Sequence, residues 1–319
     1  MNKFSIAIAI LVLTGCSYAA NEKPSSADNV KVTILSTMLS DYKGIGEWGF
    51  AALVEVDDYK ILFDTGAHPE TVLANARDLN IDLSLVEDVF LSHYHWDHVG
   101  GLLTLRKELM KQNPKALSKV HVGEGIFYSR PKNGKEGNPM IAIKQEFEAL
   151  GGSFIVYNKP SELFKAVWIT GPVPRKYLEK NWNGSGKMIT EKGLKEDIIP
   201  EDMSMVINTP KGWVLVAGCG HSGIVNTMEY VQTSLSNNPV YAAIGGFHLY
   251  KLTDEKLEWT ATKLTAFGVS QFLGAHCTGI NSTFIIREKM GLTRETAVVG
   301  AVGNVFELGN GIDAGKISK

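Results

Sequence analysis

The stretch Leu91–Gly101, LSHYHWDHVGG, places three histidines and one aspartate within six consecutive positions. His93 and His95 are two residues apart, so on an extended backbone both imidazoles point the same way. Asp97 and His98 follow where the chain turns, and can therefore reach a second centre. Imidazole and carboxylate groups suit zinc, and also iron or manganese, with positions left open for water. The spacing predicts two divalent metal ions side by side, most simply zinc.

Three more histidines have the same local setting, a loop directly after an apolar run. His221 follows VLVAGCG, His248 follows AAIGGF and His276 follows QFLGA. Because strand ends at one edge of a sandwich converge, we expect these imidazoles to join the first group. His248 is the candidate for contact with the substrate or with a developing oxyanion, or else it fixes the GGFH turn.

The composition favours a large folded domain. The chain has 319 residues, 44% of them hydrophobic, and a formal net charge of -2. Lysine and arginine are scattered among acids of nearly equal number, so nothing indicates a nucleic acid partner. Three cysteines are too few for a disulfide scaffold. A small-molecule substrate is the expected partner.

Apolar runs alternate with amphipathic segments throughout the chain, which predicts an α/β (α+β) fold, a four-layer αββα sandwich. An antiparallel meander is predicted over residues 30–66, and strands over 86–93, 119–125, 204–209, 212–218, 240–246 and 270–276. Helices are predicted over residues 69–80, 100–111, 225–235 and 254–268. The stretches 127–150 and 171–202 are irregular and long, and we expect them to overhang the site.

The N-terminus indicates export. Asn2 and Lys3 precede the apolar run FSIAIAILVL and then LTGC, a pattern typical of a lipoprotein signal. Residues 1–15 would be removed, and Cys16 would carry the lipid. Residues 16–29 would form a polar tether and residues 30–319 the domain. An ordinary secretory signal, cut near SYAA, is the alternative. The predicted location is the periplasmic face of the cell envelope, with the lipid as the sole membrane contact.

Several motifs carry a resemblance to a known family. HYHWDH fits the H-x-H-x-D-H signature of the metallo-β-lactamase superfamily, and ILFDTG fits the D-T-G that precedes it. The resemblance runs from about Val32 to Leu292. GCGHSGIVNT, IGGFHL and AHCTG resemble the metal-dependent hydrolases that include the dihydropterin ribofuranosylaminobenzene 5′-phosphate synthases. The resemblance to the superfamily implies the metallo-β-lactamase sandwich, with Asp64 orienting the metal site from behind the ligands.

The resemblance also implies the role of each motif residue. His93 and His95 would bind the first metal, Asp97 and His98 the second, and His276 would complete the second. The superfamily usually supplies another histidine before a bridging aspartate or cysteine. The sole histidine between His98 and His221 is His121, which lies mid-strand and is expected to be packed or hydrogen-bonded.

Two ways of completing the first metal site remain. Either His221 is its third ligand, or Asp202 takes that place while Cys219 contributes a thiolate. We favour His221, because it offers a neutral imidazole in a glycine-flanked loop.

Other chemically active side chains lie outside these motifs or beside them. His68 is expected at the rim or surface, and Cys277 is expected to pack inward. The alternative for Cys277 is a disulfide with Cys219 in an oxidising compartment. The long loops carry residues able to bind an anionic, ring-bearing substrate, although scattered Lys and Arg are usually solvated: Tyr128, Arg130, Arg175, Lys176 and Trp182.

The functional prediction is an exported metal-dependent hydrolase. Its two metals would activate water to hydroxide for attack on an ester, phosphoester, lactone or amide, with Asp97 and His248 in catalytic roles. One alternative is group transfer of the dihydropterin type, against which the export signal argues. Another is a lipoprotein that binds a metal or ligand without turnover. The fold alone would not justify naming a β-lactamase.

Overall fold

The computed structural model describes residues 24–182 and 184–318. Within them the strands are β1 Val30–Ser36, β2 Ala51–Val56, β3 Tyr59–Phe63, β4 Asp88–Phe90, β5 Lys119–Gly123, β6 Pro131–Lys132, β7 Lys135–Glu136, β8 Ser153–Tyr157, β9 Ser161–Phe164, β10 Val167–Ile169, β11 Lys187–Thr190, β12 Gly193–Glu196, β13 Met205–Thr209, β14 Gly212–Ala217, β15 Val240–Gly245, β16 Gln271–Gly274, β17 Ala297–Val299, β18 Val305–Glu307 and β19 Gly311–Asp313.

The helices are α1 Thr71–Asp78, α2 Trp96–Val99, α3 Leu102–Leu109, α4 Met140–Ala149, α5 Ile224–Ser234, α6 Asp254–Phe267 and α7 Ile280–Lys289. Two short 3-10 turns lie at Leu83–Leu85 and His276–Thr278.

Two large sheets form the centre of the molecule. The first has the strand order β19-β18-β1-β2-β3-β4-β5-β8 and the second β17-β16-β15-β14-β13-β10-β9. The predicted meander is confirmed, because β1 pairs antiparallel with β2, and β2 pairs antiparallel with β3 across a turn at Asp57. Pairing is parallel from β3 through β5 and from β14 through β17. Parallel strands end at the same sheet edge, so the loops after β4, β14, β15 and β16 leave from two facing edges.

Three apolar clusters account for the layering. Val32, Phe63, Met205 and Val216 belong to a cluster between the two sheets. The outer face of the first sheet packs against α1, α3 and α4, and that of the second sheet against α5 and α6. Each large apolar side chain buried in this way contributes about 1.5–3 kcal/mol. The predicted four-layer αββα sandwich is confirmed.

Some elements differ from the prediction. The stretch 127–150 contains the β6–β7 hairpin and helix α4, and 171–202 contains the β11–β12 hairpin. The C-terminal α7 was also missed, because its buried face includes Ser282 and Thr283 and so lacks an apolar period. Strands β17, β18 and β19 have three residues each, too few to show alternation.

The end of the predicted tether contacts the domain. Ala27 is fully buried and its N–H donates to the carbonyl of Asn208. The Asn208 amide in turn donates to the carbonyls of Pro24 and Ser25. The predicted signal 1–15, Cys16 and the tether up to residue 23 lie outside the described residues. In the described part of the chain no helix has the length and apolar character needed to cross a membrane.

Candidate metal centre

The first group of ligand atoms comes from two loops. His93 and His95 follow β4, and His221 follows β14. Nε2 of His93 lies 2.9 Å from Nδ1 of His95 and 3.2 Å from Nε2 of His221. Two nitrogen ligands of a tetrahedral zinc ion lie about 3.3 Å apart at ordinary bond lengths. The three nitrogens, which we call the first triad, therefore fit a shared cation.

The second triad consists of Asp97, His98 and His276, whose ligand atoms all lie within 4.8 Å of one another. Nε2 of His276 is 3.4 Å from Oδ2 of Asp97, and Nε2 of His98 is 4.0 Å from the same oxygen. His276 is completely buried, and neither of its ring nitrogens has a hydrogen-bond partner in the part of the chain that the structure describes. A buried polar atom without a partner is costly. A second cation would satisfy it.

Cys219 lies between the two triads. Its Sγ is 3.2 Å from Nε2 of His98, and it groups with His93 on one side and with His276 on the other. Burial raises the pKa of this thiol. Cys277 Sγ is 3.2 Å from Cys219 Sγ, and both thiols are free and buried. The expectation that Cys277 packs inward is confirmed.

Asp64 lies behind the second triad and fixes one of its imidazoles. Its Oδ2 accepts hydrogen bonds of 2.7 Å from Nδ1 of His98 and from the hydroxyl of Ser92, and its Oδ1 accepts one from the Ser92 N–H. With Nδ1 occupied, His98 turns Nε2 toward Asp97 and Cys219. Burial opposes protonation of His98, yet the two carboxylates of Asp64 and Asp97 raise its pKa to about 9.

The imidazoles of the first triad are held uncharged. Burial, together with the neighbouring imidazoles, lowers the pKa of His93, His95 and His221 well below the usual value. Metal binding requires the neutral ring, so the lowered pKa keeps these ligands available at neutral pH.

The carbonyl of Asn181 accepts a hydrogen bond from Nδ1 of His221, which leaves Nε2 facing the other two rings. No sequence pattern indicates this role for Asn181, because a backbone carbonyl is available at every position. The side-chain amide of Asn181 also donates to the carbonyl of Gly220, 3.1 Å away. The Arg175 guanidinium donates to the His221 carbonyl and stacks on Trp182. The stretch 171–202 therefore overhangs the centre as expected.

Asp202 lies close to the first triad, where it accepts a hydrogen bond from the backbone. Its Oδ2 accepts a 2.8 Å hydrogen bond from the N–H of Ser222, next to His221. It is not among the residues whose ligand atoms gather with His93 and His95. Between the two ways of completing the first site, the geometry places His221, and not Asp202, beside these two rings.

Two of the basic loop residues that were candidates for substrate binding instead form ion pairs within the protein. Arg130 is buried between Asp197 and Glu201 and lies over the Tyr94 ring, and Lys176 pairs with Glu229. Their charges are therefore already balanced by carboxylates.

The predictions for the two outlying histidines are confirmed. His121 bonds to Tyr157 and Asp88 within the sheet, and the His68 side chain is 68% exposed at the rim.

The backbone around the centre is strained at three of these residues. Asp64, His248 and His276 have φ values of 53°, 50° and 47°, in the left-handed region. Side chains other than glycine rarely adopt this region, and such strain gathers at functional sites.

Comparisons with known proteins agree with this geometry. The sequence profile described as "Metallo-beta-lactamase superfamily" matches residues 49–136. The chain is 30% identical over 276 residues to the 7,8-dihydropterin-6-methyl-4-(beta-D-ribofuranosyl)-aminobenzene-5'-phosphate synthase of Methanocaldococcus jannaschii, a match that covers 82% of this chain and 92% of the synthase. This protein belongs to the metallo-beta-lactamase superfamily.

Solved structures show the same fold. Tm1679, described as a metal-dependent hydrolase of the beta-lactamase superfamily, aligns with a TM-score of 0.70 and 25% identity, covering 91% of this chain and all (100%) of its own. Zinc-bound PqqB from Methylobacterium extorquens aligns with a TM-score of 0.51 and 14% identity, covering 86% of this chain and 99% of its own, which supports the fold alone.

A substitution at Gly218 tests the role of Asp64 behind the second triad. A Cβ at this position would lie 2.1 Å from Oγ of Ser92 and 2.5 Å from Oδ2 of Asp64. Gly218→Ala should displace Asp64 and lower zinc affinity about tenfold to a hundredfold, the usual effect of losing a partner behind a ligand. Zinc titration against a competing chelator measures this. Gly184→Ala, where a Cβ would meet a flexible lysine side chain at 3.1 Å, is the control. Equal affinities in both variants would contradict the role given to Asp64.

Proposed function

We propose that this protein is a metal-dependent hydrolase whose catalytic centre consists of the two triads. The observation that carries the proposal is the convergence of buried imidazole nitrogens. Nε2 of His93 meets two other ring nitrogens at 2.9 and 3.2 Å, and His276 has two buried nitrogens without a hydrogen-bond partner in the described chain. Proteins of this fold typically bind divalent metals such as zinc. A cation at each triad accounts for both features.

Each triad would hold one divalent cation. His93, His95 and His221 would bind the first, and Asp97, His98 and His276 the second. Zinc suits this donor set best, and iron or manganese would also fit. When bound, the pair of cations supplies a water of lowered pKa and an electrophilic contact for a substrate oxygen.

The chain's own residues hold and balance this charge. Asp97 is the sole carboxylate of the two triads, and its side chain is 11% exposed, so its charge would face bound cations more than bulk water. Asp64 keeps Nε2 of His98 available by accepting from Nδ1. Cys219, between the triads, would be able to contact either cation. We expect the substrate to be a small ester, phosphoester, lactone or amide, with an anionic group favoured by the cationic centre.

His248 is the residue we assign to substrate contact. Its ring lies 4.7 Å from that of His221, centroid to centroid, and its Nδ1 is buried without a partner within the described ranges. Its backbone N–H donates to Sγ of Cys277, which fixes the strained residue. A held imidazole beside the centre can donate a hydrogen bond to an oxygen that gains negative charge.

Export is a further part of the proposal. The basic and apolar residues before LTGC support cleavage before Cys16 and lipid attachment there, at the periplasmic face of the envelope. Mass spectrometry of the mature N-terminus tests it, and an unprocessed Met1 in the membrane-containing fraction would contradict it.

The first experiment measures metal content and turnover together. The wild-type protein should hold about two equivalents of zinc by elemental mass spectrometry and hydrolyse at least one member of a panel of phosphodiesters, lactones and β-lactams. His95→Ala should lose metal and turnover together, because it removes one of three ligands of the first cation. His68→Ala removes an exposed histidine 68% accessible to solvent and should change neither. Full metal content in His95→Ala would overturn the ligand assignment, and metal without turnover would favour a binding protein.

A substitution at His248 distinguishes a role in substrate contact from a role in metal binding. His248→Gln should keep its zinc but lower kcat about a hundredfold, within the range for loss of one donor at a developing oxyanion. Steady-state kinetics beside elemental analysis measures both quantities. Loss of zinc in this variant would instead make His248 a ligand, and unchanged kcat would leave it a structural part of the turn.

Group transfer is the second candidate, and the Methanocaldococcus jannaschii relative supports it, since that protein is called a synthase. Here an aminobenzene nitrogen would attack the substrate in place of water, and the group that departs in hydrolysis would depart in the same way. The turnover assay run with 4-aminobenzoate distinguishes the two reactions. Hydrolase activity predicts the same product with or without the amine, whereas a transferase should form a coupled product detected by mass spectrometry.

A further inference from the structure

A chain of aromatic rings lines one side of the centre. The His221 and His248 ring centroids are 4.7 Å apart, and those of His248 and Tyr250 are 5.4 Å apart. The Tyr250 and Trp48 centroids are 5.6 Å apart, and those of Trp48 and His276 4.9 Å. The contacts lead from the first triad to the second. We call Trp48 and Tyr250 the aromatic wall.

The aromatic wall is open to solvent although it stands on buried residues. Trp48 is 41% exposed and Tyr250 38% exposed, while His276 beneath Trp48 is completely buried. Large aromatic side chains usually gain stability by burial. Adjacent exposed aromatic rings at the mouth of a polar centre therefore indicate a surface that a ligand covers.

Trp48 is held in place through its neighbour Glu47. Oε1 of Glu47 accepts from the hydroxyl of Ser36 at 2.7 Å and from the Ala67 N–H at 2.9 Å. Its Oε2 accepts from the His68 N–H at 2.9 Å, and the side chain is only 2% exposed. Glu47 thus ties the loop between β1 and β2 to the loop after β3. A ligand that contacts Trp48 would meet a surface already ordered, which avoids much of the entropy cost of binding.

Tyr250 is seated by a glycine. A Cβ at Gly279 would lie 2.8 Å from Cβ of Tyr250, so a side chain there would displace the tyrosine. The Tyr250 N–H also donates to the Cys277 carbonyl at 3.3 Å. The planes of Trp48 and Tyr250 are 69° apart, so the aromatic wall offers a ring face and a ring edge at the same corner.

We propose that the aromatic wall binds a planar, conjugated ring of the substrate while the adjacent group to be cleaved lies at the two triads. The proposal rests on the hydrolase function above and names its substrate class. A flat ring can meet one aromatic side chain face to face and the other edge to face, using the ring quadrupoles as well as apolar area. A saturated ring or an alkyl chain of similar size gains only the apolar area. Ring-bearing esters and phosphoesters should therefore be preferred over aliphatic lactones.

The test uses two anions that the centre cannot hydrolyse, phenylphosphonate and cyclohexylphosphonate. Both carry the same headgroup on a six-membered ring, which is planar in one and puckered in the other. Calorimetric titration of the zinc-loaded full chain should give a dissociation constant about threefold to tenfold lower for phenylphosphonate.

Three variants test whether Trp48 causes the preference for the planar ring. Trp48→Leu should bring the ratio of the two dissociation constants close to one, because leucine keeps the apolar bulk without the ring. Trp48→Phe should retain most of the preference. Trp259→Leu is the matched control, since Trp259 is 38% exposed but lies on α6 against Tyr177, and its ratio should equal that of the wild type.

Several results would overturn the inference. They are equal affinity of the wild type for both anions, no binding of either at millimolar concentration, or an unchanged ratio in Trp48→Leu with native circular dichroism. Failure of the proposed function has a different signature, because it appears as absent zinc or absent turnover. The ring preference is read from the affinity ratio and does not require turnover.

Discussion

The centre depends on the placement of imidazole nitrogens against one another in a buried space. In three of the rings, the nitrogen that faces away from the centre is hydrogen-bonded to an oxygen. The oxygen belongs to Ser92 for His93, to Asp64 for His98 and to the Asn181 carbonyl for His221. Each such bond directs the remaining nitrogen inward. Lone pairs that face one another in a dry site repel unless a shared electrophile lies between them. The surrounding oxygens therefore prepare the rings for cations.

The sandwich provides this placement through strand direction. Parallel strands β4, β14, β15 and β16 end where the two sheets face each other, and each is followed by a histidine of the centre. Gly218 allows β14 to end against Ser92 and Asp64, where a Cβ would clash. The stable apolar layers hold the loops, and the loops carry strain at residues such as His276. This division lets a rigid scaffold support an energetically costly arrangement of polar groups.

Sequence patterns predicted the main strands, four of the helices and the four-layer sandwich, because apolar periodicity reports burial directly. They also gathered His221, His248 and His276 with the H-x-H-x-D-H motif, since all follow strands. They missed α7, whose buried face is partly polar, and the roles of Asn181 and Trp48. Asn181 acts through its backbone, and Trp48 acts through contacts with residues about 200 positions away in the chain, so neither leaves a local pattern.

The sequence by itself determined the donor chemistry and the fold class, because ligand types, their short spacing and hydrophobic periodicity are local properties. Only the tertiary structure decided that His221, and not Asp202, lies beside His93 and His95, and that Arg130 is neutralised by Asp197 and Glu201. It also placed Trp48 against His276, which are brought together from opposite ends of the chain. Such choices depend on distances between loops of different strands, and those distances are fixed only when the two sheets pack.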